Sequence, residues 1–88
     1  GNKDTINSQD FKENTVSIAS HCFHNNKQVK AITLPSNILK IYDHAFENCT
    51  NLTTITLPYD LEYIDDFAFK NCKNLLSIHF SNMLESIA

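Results

Sequence analysis

Phenylalanine recurs at Phe23, Phe46 and Phe69, at one constant interval. Other series share that spacing. Ile18, Ile41, Ile64 and Ile87 form one, and Val29, Leu52 and Leu75 another. Ile32, Ile55 and Ile78 follow, then Leu34, Leu57 and Phe80, then Ile38, Leu61 and Leu84. Asn25, Asn48 and Asn71 keep the same step, as do Cys22, Ala45 and Ala68, and the pair Pro35 and Pro58. So many registers agreeing at one spacing restrict the chain to a solenoid, in which no unit buries its apolar face alone.

The central unit, "IYDHAFENCTNLTTITLPYDLEY" from Ile41 to Tyr63, reads in three parts. Asp43 is placed to cap a short turn of helix that "HAF" continues. Ile55 and Leu57 alternate with Thr54 and Thr56, which is strand periodicity in a β-branched segment. Pro58 ends that strand, because it has no N–H for a ladder. Leu61 and Ile64 bring the chain back as a short apolar segment. Stacked units then form a parallel sheet from the "ITL" strands, at roughly 4.8 Å per unit.

The expected architecture is an α/β solenoid, a leucine-rich repeat with short parallel strands. It has three repeats, over 18–40, 41–63 and 64–88, and a degenerate unit over 1–17. Stepping back one period from Val29 lands on Ile6, and from Leu34 on Phe11. The same step from Ile32 lands on Gln9, a poor core residue, so the first unit reads as a worn cap, with Val16 or Thr15 near the Ile38 column. The segment "LESIA" stops where the next "AF" turn is due. The last unit is therefore expected to present an uncapped edge open to self-association, in a fragment of a longer repeat protein.

The chain resembles the BspA-type leucine-rich repeats. The residues that carry the likeness are "HAFENCTNLTTITLPYDLEYI" at 44–64 and "FAFKNCKNLLSIHFSNMLESI" at 67–87. "HCFHNNKQVKAITLPSNILKI" at 21–41 also fits, with Cys22 in place of Ala and Asn26 in place of Cys. In the last unit Phe80 and Ser81 stand where Leu-Pro is usual. The resemblance implies cell-surface display or secretion, adhesion, and binding of protein, such as a host or neighbouring-cell surface protein. An intracellular scaffold or spacer segment is the alternative, since low charge and free thiols suit a reducing interior equally well.

Composition narrows the function classes further. Among 88 residues, 42% are apolar and 19% charged, and the net charge is −3 with no basic block. Nucleic acid and anionic membrane are therefore not expected partners. No apolar run reaches the length of a membrane span, so this segment is not expected to insert in one. The single Gly excludes a glycine-rich phosphate loop. No Ser-His-Asp or Cys-His set assembles, so no catalysis is expected, and no cofactor is called for.

Three cysteines cannot all pair within one chain. Cys49 and Cys72 are equivalent by period, and read first as small buried hydrophobes. A disulfide or a two-ligand metal pair is the alternative. Cys22 sits in the alanine column and reads as core. His21 and His44 are expected to stack as a column. Asn25, Asn48 and Asn71 are placed in a bend, their amides satisfying orphaned backbone groups. Asn48 and Asn51 also match the N-glycosylation pattern, Asn51 being the more accessible. The outward sheet residues are the interaction candidates. Ala31, Thr54 and Ser77 form one column, and Thr33, Thr56 and His79 the next. Tyr59 and Tyr63 flank the central unit as aromatic anchors with polar tips.

Overall fold

The computed structural model describes residues 4–81. Among the described residues seven short strands follow in chain order: β1 (Thr5–Ile6), β2 (Ser17–Ile18), β3 (Ala31–Thr33), β4 (Lys40–Ile41), β5 (Thr54–Leu57), β6 (Tyr63–Ile64) and β7 (Ser77–Phe80). They form two parallel sheets, β1-β3-β5-β7 and β2-β4-β6. The coils alternate between the two sheets and close through turns. The expected "ITL" sheet is the larger. The return segment, expected only to be apolar, forms the second sheet.

Register follows the period. Thr54 pairs with Ser77, Ile55 with Ile78, and Leu57 with Phe80. Ile18 pairs with Ile41, and Ile41 with Ile64. Equivalent apolar residues thus stack into columns that merge into one core. Val29, Ile32, Leu34, Ile38, Ile41, Phe46, Leu52, Ile55 and Leu57 are all buried. The rings of Phe23, Phe46 and Phe69 lie nearly parallel, with centroids 5.3 and 5.1 Å apart. Phe11 closes the near end of that stack edge-on to Phe23, at 6.0 Å.

The α part of the expected α/β class is not there. Among the described residues the one helical element is a 3₁₀ turn at Ser8–Asp10. The segment from Tyr42 to Cys49 is a run of tight turns instead. Glu47 N–H donates to the His44 carbonyl and Cys49 N–H to that of Phe46, both at 3.2 Å. The cause is left-handed backbone at His44 (φ 55°) and Asn48 (φ 61°), repeated at His21, Asn25 and Asn71. A left-handed residue turns the peptide groups away from the helix axis. They bond to the next coil: Phe46 N–H to the Ala68 carbonyl and Asn48 N–H to that of Lys70, both at 2.8 Å. Nor does Asp43 cap a helix, since its carboxylate accepts the Ser20 hydroxyl of the preceding coil at 2.6 Å.

The N-terminal unit differs from expectation in register. Ile6 pairs with Ile32, beyond the regular step, and not with the Val29 column. The regular step returns by Ser17, which pairs with Lys40. Three extra residues therefore lie between β1 and β2, in the stretch that holds the 3₁₀ turn. Gln9 never enters the Ile32 column, which removes the misfit seen with a strict period. Thr15 falls in the Ile38 column, as expected, and Val16 projects outward.

At the far end the same columns lose their cover. Ile78 is 51% exposed and Phe80 58%, whereas Ile55 is fully buried and Leu57 is 1% exposed. Ser81, standing in the column of Pro58, donates its N–H to the Leu57 carbonyl at 2.8 Å. Proline could not do so, and the ladder therefore runs one residue further here. The expectations for Leu84 and Ile87 fall outside the described residues.

Candidate protein-binding surface

The outward face of the larger sheet carries the columns that alternation predicts. Ala31, Thr54 and Ser77 lie side by side in the ladder, as do Thr33, Thr56 and His79. Thr33 and His79 are exposed, and Thr54, Thr56 and Ser77 half-buried. Thr5 extends the first column through its pairing with Ala31. Adjacent small hydroxyl side chains give a flat, polar, rigid face, since parallel strands hold them at a fixed interval. Tyr59 follows Pro58 beyond the end of β5 and is 54% exposed.

Tyr63 is not part of this face. It lies on β6 in the other sheet, opposite Lys40. Its ring is 6.3 Å from that of Tyr42, and its hydroxyl donates to Asp65 Oδ2 at 2.9 Å. That bond to a carboxylate raises the phenol above its ordinary value, because ionisation would set two negative groups together. The sequence places Tyr59 and Tyr63 on the flanks of the central unit. They are separated because the chain passes from one sheet to the other between them.

The asparagines serve the fold. Asn48 Nδ2 donates to Asn25 Oδ1 at 2.8 Å, and Asn71 Nδ2 to Asn48 Oδ1 at 3.0 Å. The amides thus bond mainly to one another along the stack, not to orphaned backbone groups. Left-handed φ explains the residue type, because asparagine tolerates that region better than most. Asn51, exposed and in the glycosylation pattern, donates its amide to the Lys27 carbonyl of the preceding coil.

The three thiols are free. Cys49 is buried and donates to the Phe23 carbonyl at 3.3 Å, and Cys72 to the Phe46 carbonyl at 3.1 Å. Contact with the Cys72 thiol, together with burial, pushes the Cys49 thiol far above its ordinary value. Both side chains tie a turn to the coil before it. In the first coil Asn26 takes this position and accepts the backbone N–H groups of Gln28 and Val29 through Oδ1. Cys22 corrects the expectation of a core residue. It occupies the alanine column but is exposed, since the degenerate first unit lays no regular turn over it.

The turn face carries a cluster that periodicity only half revealed. His21 and His44 stack at 4.8 Å, as their shared column predicts. Phe67 continues the stack, 5.5 Å from His44, with Lys70 Nζ 5.7 Å from its centroid. Asp43, read from sequence as a cap, lies beside the two imidazoles. The Ser20 hydroxyl holds its carboxyl below the usual range, and both histidines add to that.

No helix among the described residues is long and apolar enough to cross a membrane. No curated protein and no solved structure matches the chain. One family model does match, in six copies over residues 2–88: that of the BspA type leucine rich repeat region. The stacked parallel coils and the near-complete span of that match agree, and the chain belongs to the BspA type leucine-rich repeat family.

Proposed function

We propose that this chain is a non-catalytic protein-binding or adhesion module that acts at a cell surface or after secretion. The observation that carries the reading is the rigid outward face of Thr33, Thr54, Thr56, Ser77 and His79, with Tyr59 at its rim. Most of its side chains are short and lose little entropy when covered, and Tyr59 supplies apolar area with a polar tip. Repeat scaffolds bind through such columns, gaining affinity from several coils at once. Tyr63, on the other sheet, belongs to a separate contact.

A second contact is proposed at the end of the stack. The apolar side chains Leu76, Ile78 and Phe80 are exposed there, and β7 pairs with β5 alone among the described residues. An open strand edge beside uncovered apolar columns favours self-association. A spacer role is favoured instead by the plainness of the hydroxyl face, which offers few anchors.

The test is a pulldown from extracellular and cytosolic protein pools with the wild-type chain and with Thr54→Glu/Thr56→Glu/Tyr59→Asp. Capture of a defined extracellular protein by wild type but not by the variant supports the reading. Equal capture by both removes the hydroxyl face from it, and no capture from either pool favours the spacer.

A further inference from the structure

The first coil junction brings together three groups that neither the core nor the sheets require. His21, Asp43 and His44 each offer one ligand atom, and the three atoms lie within 4.8 Å of one another. We propose that they form a surface site for a divalent transition metal of the zinc type. Two imidazole nitrogens and one carboxylate oxygen are a donor set that zinc accepts, with a fourth position left for water.

The backbone prepares the arrangement. His21 and His44 share the left-handed conformation, with φ of 59° and 55°, in equivalent positions of adjacent coils. Their side chains therefore leave the chain in the same direction, and the rings meet face to face with an interplanar angle of 15°. A bound zinc needs its ligand atoms about 3.3 Å apart, from bonds of roughly 2.0–2.1 Å. The side chains must close by up to about 1.5 Å to reach it. His21 is exposed, and its ring is bounded by His44 at 4.8 Å and, edge-on, by His24 at 5.1 Å.

Neighbouring groups support the ligands. The Ser20 hydroxyl binds Asp43 Oδ1 at 2.6 Å, which orients the carboxylate and leaves Oδ2 for the metal. Glu47 Oε1 lies 3.1 Å from His44 Nδ1, an atom buried in the turn that makes no hydrogen bond there. A small turn of the imidazole would pair Nδ1 with that carboxylate, which would settle the tautomer and leave the other nitrogen's lone pair for a cation. Phe67 stacks on His44 and walls the cluster on the side of the next coil. The site occurs once among the described coils, because Phe67 replaces histidine in that column.

The test is calorimetric titration of ZnCl₂ into the metal-free full chain, with Cys22→Ala as a parallel background to remove the exposed thiol. One zinc per chain is expected in both. His21→Asn and His44→Asn keep a residue suited to left-handed backbone, and each is expected to weaken binding at least tenfold. Glu47→Gln is expected to weaken it about tenfold, as loss of a carboxylate behind a ligating histidine commonly does. Cobalt in place of zinc is expected to give a visible spectrum without a thiolate charge-transfer band. Absence of saturable zinc binding would overturn the proposal. So would unchanged affinity in His21→Asn, or a thiolate band with cobalt. Circular dichroism checks folding, and His21→Asn, at an exposed position, decides alone if His44→Asn does not fold.

Discussion

At the scale of single residues, left-handed asparagines and stacked phenylalanines carry the turn face. Asn48 combines positive φ with amide bonds to Asn25 and Asn71. Asn48→Ala should lower unfolding stability by about 2 kcal/mol, roughly half from the backbone and half from the lost amide bonds. Asn48→Gly keeps the backbone conformation and should cost about 1 kcal/mol. Urea denaturation separates the two, and equal losses would remove the backbone contribution. Phe46, fully buried between two parallel rings, should cost about 3–5 kcal/mol as Ala, enough to abolish a cooperative transition in so small a domain. Cys49 predicts a pH dependence. Its thiol is raised in the folded state, so the stability it contributes is present below the ordinary thiol value of 9.0 and is lost as pH rises past it. Stability measured across that value should fall on its alkaline side, and fall less steeply in Cys49→Ala.

At the scale of elements, the strands were legible and the turns were not. Alternation of Thr54, Ile55, Thr56 and Leu57 with a following proline reads directly as β5, because one face is buried and one is not. The second sheet was hidden because its strands are two residues long, too short to show a period. The "DHAF" segment has the letters of a helix start, and no local signal marks His44 as left-handed. Left-handed residues turn neighbouring peptide groups such as those of Phe46 and Asn48 toward the adjacent coil, whose carbonyls only stacking supplies. The insertion before β2 escaped for a similar reason, since a polar unit has too few apolar residues to hold a register on paper. The outward columns were legible because they follow from strand alternation, while the sheet that holds Tyr63 was not, because β6 is too short to show a period. Amide hydrogen exchange should reflect this layering. The β3 and β5 amides, flanked on both sides, should exchange slowest, and those of β1 and β7 much faster. Uniform protection across all four strands would contradict the order.

At the scale of the whole molecule, stability rests on the repetition of a coil that cannot stand alone. Each coil covers the one before it, so the last described coil leaves Ile78 and Phe80 open where Ile55 and Leu57 are closed. Sedimentation velocity should show association that grows with concentration, and Ile78→Lys/Phe80→Lys should remain monomeric. Association unchanged in that variant would place the contact elsewhere. The central claim is that successive coils run parallel and in register, each equivalent residue one repeat from the last. It is tested most directly by cysteine pairs on the outward face, followed by mapping of disulfides after mild oxidation. Neighbouring strands place Thr54 and Ser77 within the span of a disulfide, while His79 is displaced further along the strand. The Thr54→Cys/Ser77→Cys chain should therefore cross-link readily within one molecule, and Thr54→Cys/His79→Cys should not. The reverse preference, or equal cross-linking of both pairs, would contradict the register and the fold built on it.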